Sequence, residues 1–283
     1  MAKTEWAESP SDLLRARAGF DLASIDPDGT PGFGGGKSDG RAALEAASAR
    51  LAEFQEQLWA ESRSGRTRSV LLVLQAMDTA GKGGIVRNVV GVMDPLGLHL
   101  SAFTAPTPAE RRHDFLWRIR RQLPDPGIVG IFDRSHYEDV LIHRVRGLSS
   151  PEVIEERYGL IREFEEEVAA SGTTIVKVML HVSSDEQKAR LAERLDRPDK
   201  HWKFSLGDLD ERALWPAYQE AYQLAIERTS TPDAPWFVVP ANRKWYARIA
   251  VQQLLIDAFR GLDLQWPAAD FDIAEAKARL AQS

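Results

Sequence analysis

The stretch from Val70 to Arg87 constrains the fold more than any other part of the chain. It opens with the apolar run VLLVL, which is too short to span a membrane and is typical of a strand buried on both faces of a parallel sheet. A turn of small residues, Ala76 to Gly84, follows directly, and Ile85 opens a predicted helix. In such a turn the backbone N–H groups face an anion and Lys82 reaches toward a phosphoryl group. The stretch therefore predicts a phosphate-binding loop.

The loop departs from the standard pattern G-x-x-x-x-G-K-[ST] at two positions. Ala76 stands in place of the first Gly, and Gly83 replaces the Ser or Thr that usually binds Mg²⁺. Asp78, inside the loop, can supply the missing metal ligand directly or through water. For this motif alone, a chance Gly-Lys turn after a strand remains the alternative. The other loop residues that we predict to contact phosphate or nucleotide are Met77, Thr79, Ala80, Gly81, Gly83 and Gly84.

A second buried strand, residues 128–133, ends in Asp133. A carboxylate at the carboxyl end of a strand is the usual partner of a phosphate loop, where it holds Mg²⁺ or its bound water. The alternative is that Asp133 only caps the following helix. Because Asp78 and Lys82 lie upstream, the metal role is favoured, and Asp78 and Asp133 are the predicted metal ligands.

Apolar runs and helical periodicities alternate along the chain, which predicts a three-layer α/β/α sandwich with a parallel sheet. We predict an N-terminal extension at residues 1–40, one α/β domain at 41–262 and a C-terminal tail at 263–283. Segment 196–204 mixes basic and aromatic residues, as a mobile lid over a phosphorylated substrate does, and the lid is placed at about residues 190–210. The predicted strands are 69–75, 98–103, 128–133, 173–182 and 236–239, and the predicted helices are 41–63, 85–93, 108–123, 151–171, 183–197, 208–228 and 242–259.

Composition excludes several classes of function. The chain of 283 residues has no cysteine, so disulfides, thiolate metal sites and cysteine nucleophiles are excluded. None of the six histidines is spaced for zinc, and His136 is expected to have a structural hydrogen-bonding role. We expect no membrane association, because no apolar run approaches the ~20 residues of a spanning helix. The cysteine-free composition fits a cytoplasmic location.

Charge is distributed unevenly. The net charge of −6 argues against nucleic-acid binding, yet basic clusters lie at residues 111–121 and 188–203. Basic clusters near a phosphate loop suggest a small polyanionic substrate, although solvated helix faces remain the alternative for each cluster taken alone. Trp202 and Trp245, in basic surroundings, suggest ligand contact.

Four segments resemble the polyphosphate kinase 2 family and occur in that family's order. They span about Arg41 to Leu262 and read QAMDTAGKGGIVRNV, FDRSHYEDVLIHRV, KHWKFSLGDLDERALWPAYQEAY and PWFVVPANRKWYARIAV. The resemblance implies a P-loop kinase fold like that of thymidylate kinase, with a helical lid. It also implies transfer of a phosphoryl group between inorganic polyphosphate and a nucleoside mono- or diphosphate, with Mg²⁺, or Mn²⁺ in its place. A homodimer or homotetramer is implied as well.

Carried over by position, the resemblance implies catalytic roles for five residues. The wording Asp133-Arg134-Ser135 is similar to the subclass that accepts both AMP and ADP, and Ala76 departs from the Gly usual in the family. The implied catalytic residues are Asp78, Lys82, Asp133, Arg134 and Arg194. The further residues expected to bind phosphate or nucleotide are Arg87, Arg118, Tyr137, Glu138, Lys200, Trp202 and Lys203.

The resulting hypothesis is an in-line transfer that needs no strong general base, because the acceptor phosphate is already ionised at neutral pH. Lys82 and the loop N–H groups would bind the transferring group, and Arg134 and Arg194 would neutralise its charge. The Arg111–Arg121 segment and Arg87 would line a channel for the polyphosphate chain. Two alternatives stay open. One is a nucleotide kinase that uses ATP as donor. The other is a nucleotide-binding regulatory module without turnover, which is considered only because Ala76 replaces a glycine of the loop.

Overall fold

A computed structural model describes residues 5–283 of the chain. Its centre is a sheet of five parallel strands, and the first strand in the chain lies in the middle because its side chains are buried on both faces. The parallel sheet predicted from the apolar runs is confirmed. The strands are β1 (Ser69–Ala76), β2 (Leu98–Ala102), β3 (Val129–Asp133), β4 (Thr173–His181) and β5 (Trp236–Pro240), in the spatial order β2-β3-β1-β4-β5.

The α-helices pack in two groups against the sheet. In one group the second and third helices both contact the tenth, and in the other the fifth, sixth and ninth contact one another. This is the predicted three-layer sandwich. The helices are α1 (Pro10–Leu13), α2 (Lys37–Arg63), α3 (Lys82–Asn88), α4 (Trp117–Arg120), α5 (Ile142–Val145), α6 (Pro151–Ala170), α7 (Ser184–Asp196), α8 (Gly207–Ala213), α9 (Trp215–Thr229), α10 (Lys244–Gly261) and α11 (Ile273–Leu280).

Three helix predictions were wrong in extent. The helix predicted at 108–123 is reduced to the 3-10 turn Glu110–Arg112 and to α4, because Asp114 Oδ1 accepts from the Leu116 N–H at 3.0 Å and starts a new turn. The helix predicted at 85–93 ends at Asn88, and a 3-10 turn follows at Val90–Val92. The helix predicted at 208–228 divides at Leu214, where Pro216 occupies the first turn of α9.

The N-terminal segment is more closely packed than a peripheral loop. The Ala16 N–H donates to Trp236 O and the Val238 N–H donates to Leu14 O, both at 2.8 Å, so the segment covers the outer edge of β5. Phe33 is also buried in the core. The first four residues of the predicted extension lie outside the described part, and the division at residues 40 and 262 stays a prediction.

Within residues 5–283, no helix combines the length and the apolar character needed to cross a lipid bilayer.

Candidate active site

The predicted phosphate loop joins β1 to α3 at the carboxyl edge of the sheet. Its backbone turns sharply, with positive φ at Thr79 (66°) and Gly81 (127°). A Cβ at Gly81 would meet no atom within 4 Å, so the backbone torsion rather than packing calls for glycine there. Ala76 is the last residue of β1 and has extended backbone, so its methyl group causes no torsional conflict.

A cavity of about 460 Å³ opens above this loop. Eight of its seventeen lining residues are Lys or Arg, against three Asp or Glu, so the cavity is strongly cationic. It gathers most of the predicted site from the phosphate loop, the end of β3 and the lid. The lining residues are Asp78, Thr79, Ala80, Gly81, Lys82, Gly83, Gly84, Arg87, Asn88, Asp133, Glu193, Arg194, Arg197, Lys200, Lys203, Lys244 and Arg248.

Strand register brings Asp133 to Lys82. β1 and β3 pair so that Leu74 lies opposite Asp133, only two residues before the loop begins. Lys82 Nζ lies 3.9 Å from Asp133 Oδ1 and donates to Ala76 O at 3.4 Å. The Lys82 side chain is 12% exposed and that of Asp133 is 32% exposed, so both reach the cavity from within the fold.

Arg134 ties the end of β3 to the loop. Its φ of 63° is positive, and its N–H donates to Leu74 O at 3.0 Å. Arg134 Nη2 donates to Asp78 Oδ1 at 3.2 Å, and Nη1 lies 3.9 Å from Glu138 Oε2. Burial raises the pKa of Glu138, although the charges of Arg134 and Lys82 oppose the rise. The guanidinium of Arg134 is therefore held between two carboxylates, and it lines a smaller neighbouring pocket and not the main cavity.

A smaller pocket of about 100 Å³ adjoins the main cavity and shares Asp78 with it. Six of its ten lining residues are apolar or aromatic and four are charged, the composition expected where a small ligand must be oriented. Met77 and Glu138, predicted to bind ligand, lie here rather than in the main cavity. The lining residues are Ala76, Met77, Asp78, Arg134, Glu138, Leu141, Ile142, Glu211, Tyr218 and Tyr222.

Three predicted contact residues lie elsewhere. Tyr137 is fully buried behind β3, where its hydroxyl donates to Glu165 Oε1 at 2.8 Å. Arg118 donates to Thr104 O at 2.7 Å and lines a separate cavity. Trp202 is 79% exposed, and Lys203 Nζ lies 4.8 Å from its ring centroid. None of these three side chains lines the main cavity or the smaller pocket.

The channel residues predicted at 111–121 do not lie with Arg87: Arg87 lines the main cavity, whereas Arg111 and Arg118 line a separate one. Arg111 and Arg118 line a cavity together with Glu110, Asp114 and Asp139, so acidic groups balance the basic ones there. The arginine-rich segment therefore lies outside the main cavity.

His136, expected to have a structural role, is buried with its Nε2 3.2 Å from Glu165 Oε1.

The lid is linked to the loop by residues that sequence reasoning did not assign. Arg190, on α7, is buried and donates to Thr79 O at 2.9 Å and Ala80 O at 2.8 Å. These two bonds come from Nη1, and Nη2 donates to Ala241 O at 2.7 Å and to Asn242 O at 2.8 Å. The available signal was only that Arg190 belongs to the basic segment 188–203. Its burial depends on carbonyl groups distant in sequence.

The comparisons with known proteins agree with this geometry. A family model described as polyphosphate kinase 2 (PPK2) matches residues 35–265. The chain belongs to the polyphosphate kinase 2 family. The resemblance inferred from the four segments is confirmed, and so are the P-loop kinase fold and the assignment of the protein as a kinase.

Individual members of the polyphosphate kinase 2 family are similar over most of their length. An AMP/ADP-polyphosphate phosphotransferase of Meiothermus ruber is 48% identical over 248 residues, covering 88% of this chain and 91% of the relative. An ADP-polyphosphate phosphotransferase of Rhodopseudomonas palustris is 41% identical and covers 77% and 78%. A crystal structure of polyphosphate kinase 2 from Arthrobacter aurescens TC1 matches with a TM-score of 0.98 at 60% identity and covers both chains fully.

Proposed function

We propose that the protein transfers a phosphoryl group from inorganic polyphosphate to AMP and to ADP. The observation that carries this proposal is the strongly cationic cavity above the phosphate loop, which joins Lys82, Asp133 and the lid. An extended polyanion as donor uses more scattered cations than a single nucleotide needs. The relative from Meiothermus ruber is named for transfer with AMP and ADP, and the relative from Rhodopseudomonas palustris is named for ADP alone.

The carboxylates at the cavity fit a Mg²⁺ ion. Asp78 and Asp133 both line it with partly exposed side chains, and carboxylate oxygen is the ligand that Mg²⁺ prefers. Residues 5–283 contain no cluster of three or more His, Asp or Glu arranged to hold a metal ion. Water and phosphate oxygens would therefore complete the coordination, as is usual for this ion. Mg²⁺, or Mn²⁺ in its place, would offset negative charge on the phosphates.

The side chains have distinct roles in the proposed transfer. Lys82 binds the transferring phosphoryl group, and its position beside Asp133 fixes the direction of its ammonium group. Arg134 and Arg194 neutralise charge on the phosphates as the bond to the donor breaks and the bond to the acceptor oxygen forms. The acceptor oxygen carries no proton at neutral pH, so no side chain has to remove one. Positioning and charge neutralisation therefore carry the catalysis.

We propose that the smaller pocket contacts part of the nucleoside of the acceptor. Tyr218 and Tyr222 provide aromatic walls and Leu141 an apolar one, while Asp78 is shared with the cavity that takes the phosphates. In this proposal the base and ribose lie on one side of Arg134 and the acceptor phosphate on the other. The backbone at Ala76 is extended, a conformation that alanine adopts without strain. The replacement of glycine there is therefore no reason to propose a module without turnover.

The decisive experiment measures ATP formation from AMP, and separately from ADP, with long-chain polyphosphate and Mg²⁺. Product from both acceptors supports the proposal. Product from ADP alone would keep polyphosphate as donor and contradict the use of AMP. No product from either acceptor with polyphosphate, together with activity when ATP is the donor, would favour an ATP-dependent nucleotide kinase. We further propose a cytoplasmic location, which the cysteine-free composition fits, and a homodimer or homotetramer, on the family resemblance.

Arg190 is proposed to position the phosphate loop without touching substrate. Arg190→Met removes four hydrogen bonds to backbone carbonyls, and we expect kcat to fall by about 100-fold, as for a loop displaced by about 1 Å. Steady-state kinetics with ADP and polyphosphate would separate kcat from KM. Arg190→Lys should recover part of the loss, because it keeps the charge and some donors.

Lys188→Met is the matched control for Arg190→Met. Lys188 lies on the same helix, is exposed, and should give wild-type kinetics. A lower melting temperature for Arg190→Met with unchanged kcat in the folded range would show that Arg190 only stabilises the fold.

A further inference from the structure

Helix α7 binds three consecutive carbonyl groups of the phosphate loop from one side. Gln187 Nε2 donates to Asp78 O at 3.1 Å, and Arg190 donates to the carbonyls of the next two residues. Gln187 and Arg190 are three positions apart on the helix and therefore lie on the same face. These contacts hold a loop that includes a positive φ at Thr79, a backbone torsion that β-branched residues rarely adopt.

The amide group of Gln187 has a partner on each side. The residue is buried, with 1% of its surface exposed, and its Oε1 accepts from Arg212 Nη1 at 3.0 Å. A guanidinium only donates and a backbone carbonyl only accepts, so these two partners allow a single orientation of the amide. Arg212 therefore fixes the orientation in which Gln187 holds the carbonyl of Asp78.

Arg212 lies in the last turn of α8, next to a residue of the smaller pocket. Its neighbour Glu211 lines that pocket and accepts from Tyr218 Oη at 2.5 Å. Arg212 Nη1 also donates to Ser184 O, in the first turn of α7, at 2.6 Å. One turn of α8 thus contacts the smaller pocket directly and the phosphate loop through Gln187.

Asp78 is the residue that the main cavity and the smaller pocket share. Its carboxylate accepts from Arg134 Nη2 at 3.2 Å, while its carbonyl accepts from Gln187. A displacement of about 1 Å in such a site can lower a catalysed rate about 100-fold. Neither Gln187 nor Arg212 lines either cavity, so both would act on the transfer through Asp78.

We propose that Gln187 and Arg212 are positioning residues that set the place of Asp78 between the main cavity and the smaller pocket. The proposal rests on the proposed function, since it assigns these residues a role in the same phosphoryl transfer. Arg212 orients the amide, and the amide holds the loop carbonyl. The effect of Arg212 on the loop therefore passes through Gln187.

The test measures kcat and KM with ADP and long-chain polyphosphate for Gln187→Met, Arg212→Met and the double variant. Gln187→Met keeps the length of the side chain and removes both hydrogen bonds. Its kcat should fall about tenfold, the change that about 1.4 kcal/mol produces, while KM for polyphosphate stays at the wild-type value. The double variant should be no slower than Gln187→Met, because Arg212 acts through the amide. Arg212→Lys should recover part of the loss of Arg212→Met, because it keeps the charge and a donor.

The matched control is Lys188→Met, which places a methionine at an exposed position of the same helix and should leave kcat unchanged. Wild-type kcat in Gln187→Met would overturn the proposal. Additive losses in the double variant would also overturn it, because Arg212 would then only anchor the start of α7 at Ser184. Both results would leave the proposed function intact.

Amide hydrogen exchange of the loop tests the positioning role without any substrate. Exchange in the peptide that contains residues 76–84 should be faster in Gln187→Met and in Arg212→Met than in the wild type, and unchanged in Lys188→Met. If the wild type turns over no polyphosphate, the proposed function fails, and hydrogen exchange alone decides whether the two residues position the loop. Wild-type exchange in both variants would then overturn the proposal.

Discussion

Lys82→Ala should lower kcat for phosphoryl transfer by about 10³-fold, the scale attached to a cation that faces the transferring group. Lys82 Nζ lies between Ala76 O and Asp133 Oδ1, at 3.4 and 3.9 Å, so the ammonium group is held where the phosphates must sit. Without it, Asp133 would face the phosphate oxygens with less compensating charge. Single-turnover kinetics with polyphosphate and ADP would measure the chemical step directly.

Two variants make the result at Lys82 specific. Asp133→Asn should also lower kcat severely, because the remaining amide is a poorer metal ligand, and both proteins should keep the wild-type circular dichroism spectrum. Lys188→Ala removes an exposed lysine from α7 and should leave kcat unchanged. Near-normal turnover in Lys82→Ala, with a matched spectrum, would remove Lys82 from the chemistry.

The central fold could be predicted from sequence because its signals are local. An apolar run buried on both faces identifies β1, and the small-residue turn after it identifies the phosphate loop. Parallel pairing then aligns the carboxyl ends of β1 and β3, which brings Asp133 near Lys82. The helix predicted at 108–123 was wrong because one hydrogen bond, from the Leu116 N–H to Asp114, outweighs an amphipathic pattern.

Parts of the site could not be predicted because they depend on distant contacts. Tyr137 follows the strand that ends in Asp133, yet its hydroxyl bonds to Glu165 and to Thr229 Oγ1, which lie 28 and 92 residues away. Lys244 and Arg248 enter the main cavity from a helix whose position is set by packing on α2. The pattern of residues along the sequence does not show how close such elements lie in space.

Breaking a buried ion pair behind the site should strongly destabilise the fold. Lys177 Nζ, in the middle of β4, donates to Glu165 Oε2 of α6 at 2.5 Å, and both side chains are almost fully excluded from solvent. Lys177 Nζ also donates to Tyr137 Oη and to Thr229 O, each at 2.9 Å. We expect Lys177→Met to lower the free energy of unfolding by about 3–5 kcal/mol, because Glu165 is then a buried charge without its partner.

The same pair predicts a dependence of stability on pH. Burial alone would raise the pKa of Glu165, but the charge of Lys177 and the contact with His136 outweigh it and hold this pKa below the ordinary value of 4.5. A folded-state pKa below the unfolded one means that the stabilisation is present above pH 4.5 and is lost as the pH falls through the folded value. Urea unfolding of the wild type should therefore show stability falling on acidification, with a shallower fall in Glu165→Gln.

The double variant Lys177→Met/Glu165→Leu separates two contributions to the free energy of unfolding. One is the cost of a buried charge without its partner, and the other is the net contribution of the ion pair itself. Apolar groups of similar size often replace a buried ion pair at little cost, so the double variant should recover most of the stability that Lys177→Met loses. Tyr137 keeps a partner in Thr229 Oγ1, at 2.9 Å, and remains anchored. If the double variant is as unstable as Lys177→Met, the pair itself stabilises the fold and the orphaned charge does not explain the loss.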